Sequence, residues 1–211
     1  MAENSAVKQT FSRKSAFDRR ADLIAAGIVC LGEGGMEGFT VDKICKQAGI
    51  SRGLINHHFN TKDELLSCIY AHMTDHLVQE DDGGHATEFL ARIIEVSFDE
   101  ASFNRSNLRA WLSIWGQVSS NHTLNELHKQ RYHRYRESIK SVLMRVSATT
   151  TLQADADSVA RQLIALIDGL WLEYCLHSDS FSLAAARTDC YQFLAAYGVT
   201  LGLPVNVVAE V

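Results

Sequence analysis

The side chains best suited to chemistry in this 211-residue chain are paired histidines, an arginine and asparagine on one short segment, and a set of tryptophans and carboxylates. His57 and His58 are adjacent in "SRGLINHHFN", and His72 and His76 bracket "HMTDH". Two imidazoles bind a transition metal only when both reach one point. Neighbours on a helix point roughly 100° apart, so His57 and His58 diverge. His72 and His76 have the better i, i+4 spacing but lack the glutamate of HExxH, so no metal site is expected. No cofactor motif and no recognisable nucleophile motif accompany them, and the chain does not read as an enzyme. Arg52 and Asn56 in the same segment carry the donor and acceptor patterns that read guanine and adenine edges, and Gly53 between them admits a close backbone approach.

A second constellation lies downstream. Trp111 and Trp115 are i, i+4 neighbours, and Asp168, Trp171 and Cys175 share one face of another helix. A quaternary ammonium cannot donate a hydrogen bond, so its site needs aromatic faces and usually a carboxylate. Trp111, Trp115, Trp171 and Tyr174, with Asp99, Glu100, Asp168 or Glu173, supply both. The same rings equally suit core or interface packing, and Asp168 equally suits a cap or a brace.

The elements that position these groups read as all-α. Pro204 is the one proline, and strand-like alternation is scarce. Phe17, Ala21, Ile24, Ile28 and Leu31 predict a first helix, begun by a Ser15/Asp18 capping box and ended at "GEGG", 32–35. Thr40 opens a helix buried through Val41, Ile44 and Cys45 and stopped by Gly49; Ser51 opens the next, buried through Leu54, Ile55 and Phe59. Thr61 and Glu64 form a second capping box, starting a helix through Leu65, Ile69, Met73 and Leu77 to about Glu80. Five longer helices are expected near 86–102, 104–119, 121–146, 153–178 and 182–202, making about nine in all.

Two short helices joined through "AGIS" read as a helix-turn-helix, whose second helix is short enough to lay its N-terminal half in a DNA major groove. Arg52, Gly53, Asn56 and His57 are its base-facing positions. Thr40, Ser51 and Lys62 stand at helix starts, where free N–H groups favour phosphate oxygens. The net charge of -5 conceals a suitable asymmetry: residues 1–66 hold nine Lys/Arg against eight Asp/Glu, while the remainder holds eleven against seventeen. Lys8, Arg13, Lys14, Arg19 and Arg20 oppose Asp18 alone, giving a cationic arm before the head.

The stretch "FTVDKICKQAGISRGLINHHFNTKDELL" resembles the DNA-binding head of the TetR family of bacterial one-component repressors. Many members carry tyrosines in the middle of the recognition helix, one of which meets a phosphate. Asn56, His57 and His58 occupy that region here. "GLINHHF" is closer to the BetI-type branch, in which His57 matches a histidine and His58 stands where a tyrosine meets phosphate; His58 equally suits a plain helix end. "FDEASFNRSNLRAWLSIW" and "LIALIDGLWLEY" resemble the C-terminal domain of BetI-type repressors, which respond to choline and control glycine betaine synthesis. The resemblance implies a dimeric repressor of a near-palindromic double-stranded operator, with choline or a related quaternary ammonium compound as effector. A different small molecule, with the aromatic cluster serving only as core, is the alternative.

The expected division is a flexible basic arm over 1–14, a helix-turn-helix domain over 15–60, and a ligand-binding and dimerisation domain over 61–211. Ile164, Ile167, Leu170, Tyr191, Leu194 and Tyr197 line the last two helices and are the expected four-helix homodimer interface. Five cysteines without a CxxC pair argue against disulfides and structural zinc. The N-terminal segment lacks an apolar leader, and the run "LIALIDGLWL" is too short to span a bilayer, so no membrane association and a cytoplasmic location are expected. The Asn-x-Ser/Thr matches at Asn104 and Asn121 are then fortuitous.

Overall fold

A computed structural model describes residues 16–75, 85–100, 103–148 and 152–201. Within these residues the chain is all-α, as expected: α1 (Ala16–Gly38), α2 (Val41–Ala48), α3 (Arg52–His58), α4 (Lys62–Met73), α5 (Ala86–Ser97), α6 (Arg105–Val118), α7 (His122–Ser147), α8 (Ala156–His177) and α9 (Leu183–Ala196). No described helix is long and apolar enough to cross a membrane.

Side-chain caps set most starts. Thr40 and Thr61 accept from the N–H groups of Lys43 and Glu64, satisfying donors that have no partner inside the helix. The Glu64 carboxylate closes its box on the Asn60 N–H rather than that of Thr61. Asn104 and Asn121 cap α6 and α7 by accepting from Asn107 and Leu124, which gives those two asparagines a structural reason. Ser51 occupies the N-cap of α3 but makes no cap hydrogen bond, contrary to expectation. The Ser15/Asp18 box lies outside the described side chains.

Helix ends differ from expectation where glycine or a buried aromatic intervenes. The first helix does break within the glycine run, as expected, at Gly35, whose φ of 57° and ψ of -151° are non-helical; a further helical turn then runs on to Gly38 and is included in α1. α4 ends at Met73, with Thr74 as its cap, instead of reaching Glu80; Leu77 lies outside the described residues. α5 stops at Ser97 because Phe98 turns inward, fully buried, as its cap. α9 stops at Ala196, closed by a left-handed Gly198 and by the Val199 N–H bonding back to the Leu194 carbonyl.

One contiguous core runs from Leu23 to Leu201 and joins the helix-turn-helix to the larger helical body. α1 is the shared element: it packs on α2 and α4 on one side and on α6 on another. At the α6 crossing, a Cβ on Gly32 would sit 2.5 Å from the Ser106 carbonyl oxygen, so only glycine allows this approach. Packing on several sides shifts the buried register of α1 to Leu23, Ala26, Cys30 and Leu31; Ala21 is exposed, and Ile24 and Ile28 are half-buried. All five cysteines are free thiols.

Candidate nucleic-acid interface and ligand cavity

The turn between α2 and α3 is made by Gly49. Its φ of 66° is left-handed, and the N–H groups of Gly49 and Ile50 cap the carbonyls of Lys46 and Cys45. This reversal, with Ile44, Ile55 and Phe59 buried beneath, turns the other side of α3 outward. Arg52, Gly53, Asn56 and His57 are all exposed on it, and Thr40, Ser51 and Lys62 are exposed at the flanking helix starts. His58 is half-buried, its ring edge-on to His57 at 5.3 Å. Leu54 and Val41, expected inside, are only half-buried: the seven-residue α3 has one fully inward position, Ile55, and α2 buries Ile44 and Cys45 beyond its first residue.

Two contacts were not foreseen. Arg20, assigned from sequence to the mobile cationic arm, is a brace within α1. Its guanidinium stacks 4.3 Å from the Phe59 ring, and its two terminal nitrogens donate to the His58 carbonyl (3.0 Å) and the Cys68 sulfur (2.9 Å). The second is an ion pair in which Arg52 Nε and Nη2 grip the two carboxylate oxygens of Asp42. Hydrogen bonding from Arg52 holds the Asp42 carboxyl below its usual range.

Nothing inside the protein requires Gly53: its φ is not positive, and a Cβ there would meet no atom within 4 Å. Gly53→Ala is therefore expected to stabilise the fold slightly, by about 0.5–1 kcal/mol in thermal melts, because alanine favours helix. Operator affinity in the same variant should fall on the order of tenfold, the scale of one lost contact in the groove. A variant that is both more stable and equally tight on DNA would remove Gly53 from the interface.

In the helical body a cavity of about 170 Å³ opens between α1, α4, α5, α6 and α8. Trp111 and Trp171 line it, with centroids 5.6 Å apart and rings at 74°. Trp171 is oriented by its Nε1–H, which donates to the Ser97 carbonyl at 3.0 Å. Trp115 lies one ring further out, 5.2 Å from Trp111, and Tyr174 packs behind Phe103 at 4.7 Å. Phe103, Asn107, His72 and Met73 complete much of the wall and were not singled out as ligand residues from sequence. Phe103 precedes α6, outside any helical stripe that would have drawn attention to it.

The expected carboxylates do not join the aromatic wall. Asp99, Glu100 and Glu173 are exposed, because α5 ends before the first two and the third points from the outer side of α8. Asp168 is largely buried but turns towards α7, where Tyr132 Oη donates to its oxygens at 3.2 and 3.3 Å. Burial pushes this carboxyl up to about 7, and the Tyr132 bond offsets only part of that. Next to it Tyr70 Oη and His128 Nδ1 share a 2.7 Å hydrogen bond, and burial lowers the imidazole's proton affinity. Arg131 donates to the Ala71 carbonyl at 2.8 Å and pairs with Asp75, so α7 clamps the last turns of α4.

The expected dimer residues also divide. Ile164, Ile167, Tyr191 and Leu194 are largely buried by the chain's own helices. Tyr191 donates to Glu95 from α9 to α5. Leu170 is half-buried, as is Tyr197, whose hydroxyl donates to Gln162. The outward stripe of α8 is instead Ala165, Gly169, Leu172 and Leu176, with Leu172 43% and Leu176 64% exposed.

Residues 86–198 match the BetI-type transcriptional repressor C-terminal family, and residues 23–68 match the tetR family of bacterial regulatory proteins. The chain is 31% identical over 175 residues to the HTH-type transcriptional regulator BetI of Serratia proteamaculans, covering 80% of this chain and 86% of the relative. It is 31% identical over 185 residues to the regulator of the same name in Pseudomonas aeruginosa PAO1, covering 83% and 91%. Among solved structures, a transcriptional regulator of Pseudomonas aeruginosa PAO1 superposes with a TM-score of 0.74 at 33% identity, over 89% of this chain and 94% of that one. A transcriptional regulator of Saccharomonospora viridis, solved in complex with choline, shares the fold with a TM-score of 0.69 at 21% identity, over 85% and 96% of the two chains. The overall course of these helices is thus shared with those structures, and the chain belongs to the TetR family of bacterial regulatory proteins with a BetI-type repressor C-terminal domain.

Proposed function

We propose that the protein is a cytoplasmic homodimeric repressor that binds a near-palindromic DNA operator through α3 and releases it when a small ligand enters the Trp111/Trp171 cavity. One observation carries this reading: His72 and Met73, at the end of α4, form part of the cavity wall, while the same helix begins just after the recognition helix α3. A ligand that fits better when α4 is displaced would move α3 with it. Coupling of about 1–3 kcal/mol suffices and is within the range of differential contacts to one small molecule. In this reading residues 15–60 address DNA and 61–211 bind ligand and partner. Arg52, Gly53, Asn56 and His57 face bases; Thr40, Ser51, His58 and Lys62 face phosphates.

Choline is the ligand class favoured by size and surface. A cavity of about 150 Å³ lined by apolar side chains holds benzene, and choline has a comparable number of heavy atoms. The faces of Trp111, Trp171 and Phe103 suit a trimethylammonium group at about 0.5–2 kcal/mol per ring. Asn107 supplies a polar side chain for the hydroxyl. The regulators named BetI and the choline-bound relative of the same fold lend independent support. Among the described residues the wall contains no carboxylate, and this favours an uncharged molecule as the second reading.

Tryptophan fluorescence separates the two. Choline is expected to quench saturably, because two tryptophans line the cavity and Trp115 adjoins them, whereas ethanolamine, a hydrogen-bonding cation without methyl groups, should not. A flat response to choline would eliminate the quaternary ammonium and leave the uncharged ligand.

A further inference from the structure

Arg52 is held in a defined orientation before any DNA arrives. Asp42, in the first turn of α2, takes Nε and Nη2 of the guanidinium on its two oxygens, across the helix-turn-helix and ten residues away. Both side chains are 67% exposed, so the pair contributes little to stability in water. Its consequence is geometric. A guanidinium is a flat fork with five N–H donors, and the two-point contact uses the edge that contains Nε. The outer edge, Nη1 with the second hydrogen of Nη2, stays free, and it has the spacing that meets guanine O6 and N7 together.

We propose that Asp42 is a specificity-determining positioning residue: it fixes the Arg52 fork so that its outer edge reads one guanine per half-site. This rests on the reading of α3 as the helix that enters the groove. Two effects would follow from placing the pair against a duplex. Exclusion of water strengthens the attraction between Asp42 and Arg52, so the fork loses orientational freedom that a lone arginine keeps. At a half-site without the guanine, any rotation of Arg52 towards another acceptor leaves the Asp42 carboxylate desolvated and unpaired beside phosphates, which penalises that site. Asp42 therefore acts against wrong sequences even though it touches no base.

The test is selection from a randomised duplex library by the full chain, comparing wild type with Arg52→Ala, Asp42→Ala, Asp42→Asn and the Arg52→Ala/Asp42→Ala double variant. Arg52→Ala should lose the guanine preference at one position per half-site. Asp42→Ala should lose the preference at that same position, with affinity for the selected site down roughly tenfold. The double variant should be no weaker than Arg52→Ala, because the two residues act as one unit. Asp42→Asn should fall between wild type and Asp42→Ala. Thermal melts of all variants should match, since both residues lie on the surface. If Asp42→Ala binds every duplex more tightly and keeps the wild-type motif, Asp42 only repels phosphate and the proposal is overturned. If Asp42→Ala weakens all duplexes equally, its role is support of α2 and the proposal again fails. An Arg52→Ala variant with the wild-type motif and affinity would instead remove α3's assigned face, which is a separate failure of the underlying reading.

Discussion

Asp168→Asn is expected to stabilise the folded chain at pH 8 by up to about 4 kcal/mol and to change it little at pH 4. In the unfolded chain an aspartate titrates near 3.9. In the folded protein burial pushes Asp168 up to about 7. Between those values the folded state holds a proton that the unfolded state has released, so stability falls as pH rises from about 4 to 7 and stays low above it. About three pH units at roughly 1.4 kcal/mol each sets the upper limit. Asparagine is neutral at every pH, keeps the shape, and still offers a carbonyl oxygen to the Tyr132 hydroxyl. Denaturant unfolding at pH 4, 6 and 8 checks it: the wild-type and variant curves should separate as pH rises. Parallel curves would mean that Asp168 ionises in place at its ordinary cost.

The DNA-binding half of the fold was readable from the chain because its determinants are local. A threonine three residues before the N–H it accepts, or a glycine at a left-handed turn, acts within one helical turn, and Thr40, Gly49 and Thr61 all behave as their neighbours suggested. The exposed set of Arg52, Gly53, Asn56 and His57 follows directly once Ile55 and Phe59 are placed inside. Arg52–Asp42 and Arg20–Phe59 were not readable, because each joins residues on different helices and depends on how those helices cross. The register of α1 failed for a related reason. A helix packed against neighbours on several sides has no single apolar stripe, so Leu23 and Cys30 are buried while Ala21 is not.

In the body, residue type identified the aromatic cluster but not the charges. Trp111 and Trp171 converge because large rings must be buried somewhere, and the space between α6 and α8 accommodates both. Carboxylates carry no such requirement. Asp99 and Glu100 follow the end of α5, and Asp168 finds Tyr132 on α7. Periodicity likewise cannot distinguish a face buried by the chain's own helices from one buried by a partner. The strongest apolar positions of α8 and α9, Ile167 and Leu194, are core. The weaker stripe of α8, made partly of alanine and glycine, is the one left outside.

That outer stripe makes a dimer prediction with a large effect on DNA binding. Ala165, Gly169, Leu172 and Leu176 recur at steps of four, three and four, the spacing that packs one helix against another. A Cβ at Gly169 would meet nothing within 4 Å in its own chain, so this glycine has no internal reason, whereas a small residue there permits close approach of a second α8. Replacing both Leu172 and Leu176 by arginine should therefore yield a folded monomer in light scattering, with an unchanged circular dichroism spectrum. Operator affinity should fall on the order of 10²–10⁴-fold, because two half-sites bound by separate chains lose the high effective concentration that a dimer provides. Leu194→Ala gives the contrasting result: its side chain is fully buried, so the chain itself should lose about 2–5 kcal/mol of stability. A Leu172→Arg/Leu176→Arg protein that remained dimeric would move the interface to another face. The outer side of α9, where Ala185, Thr188 and Gln192 are exposed among the described residues, would be the next to substitute.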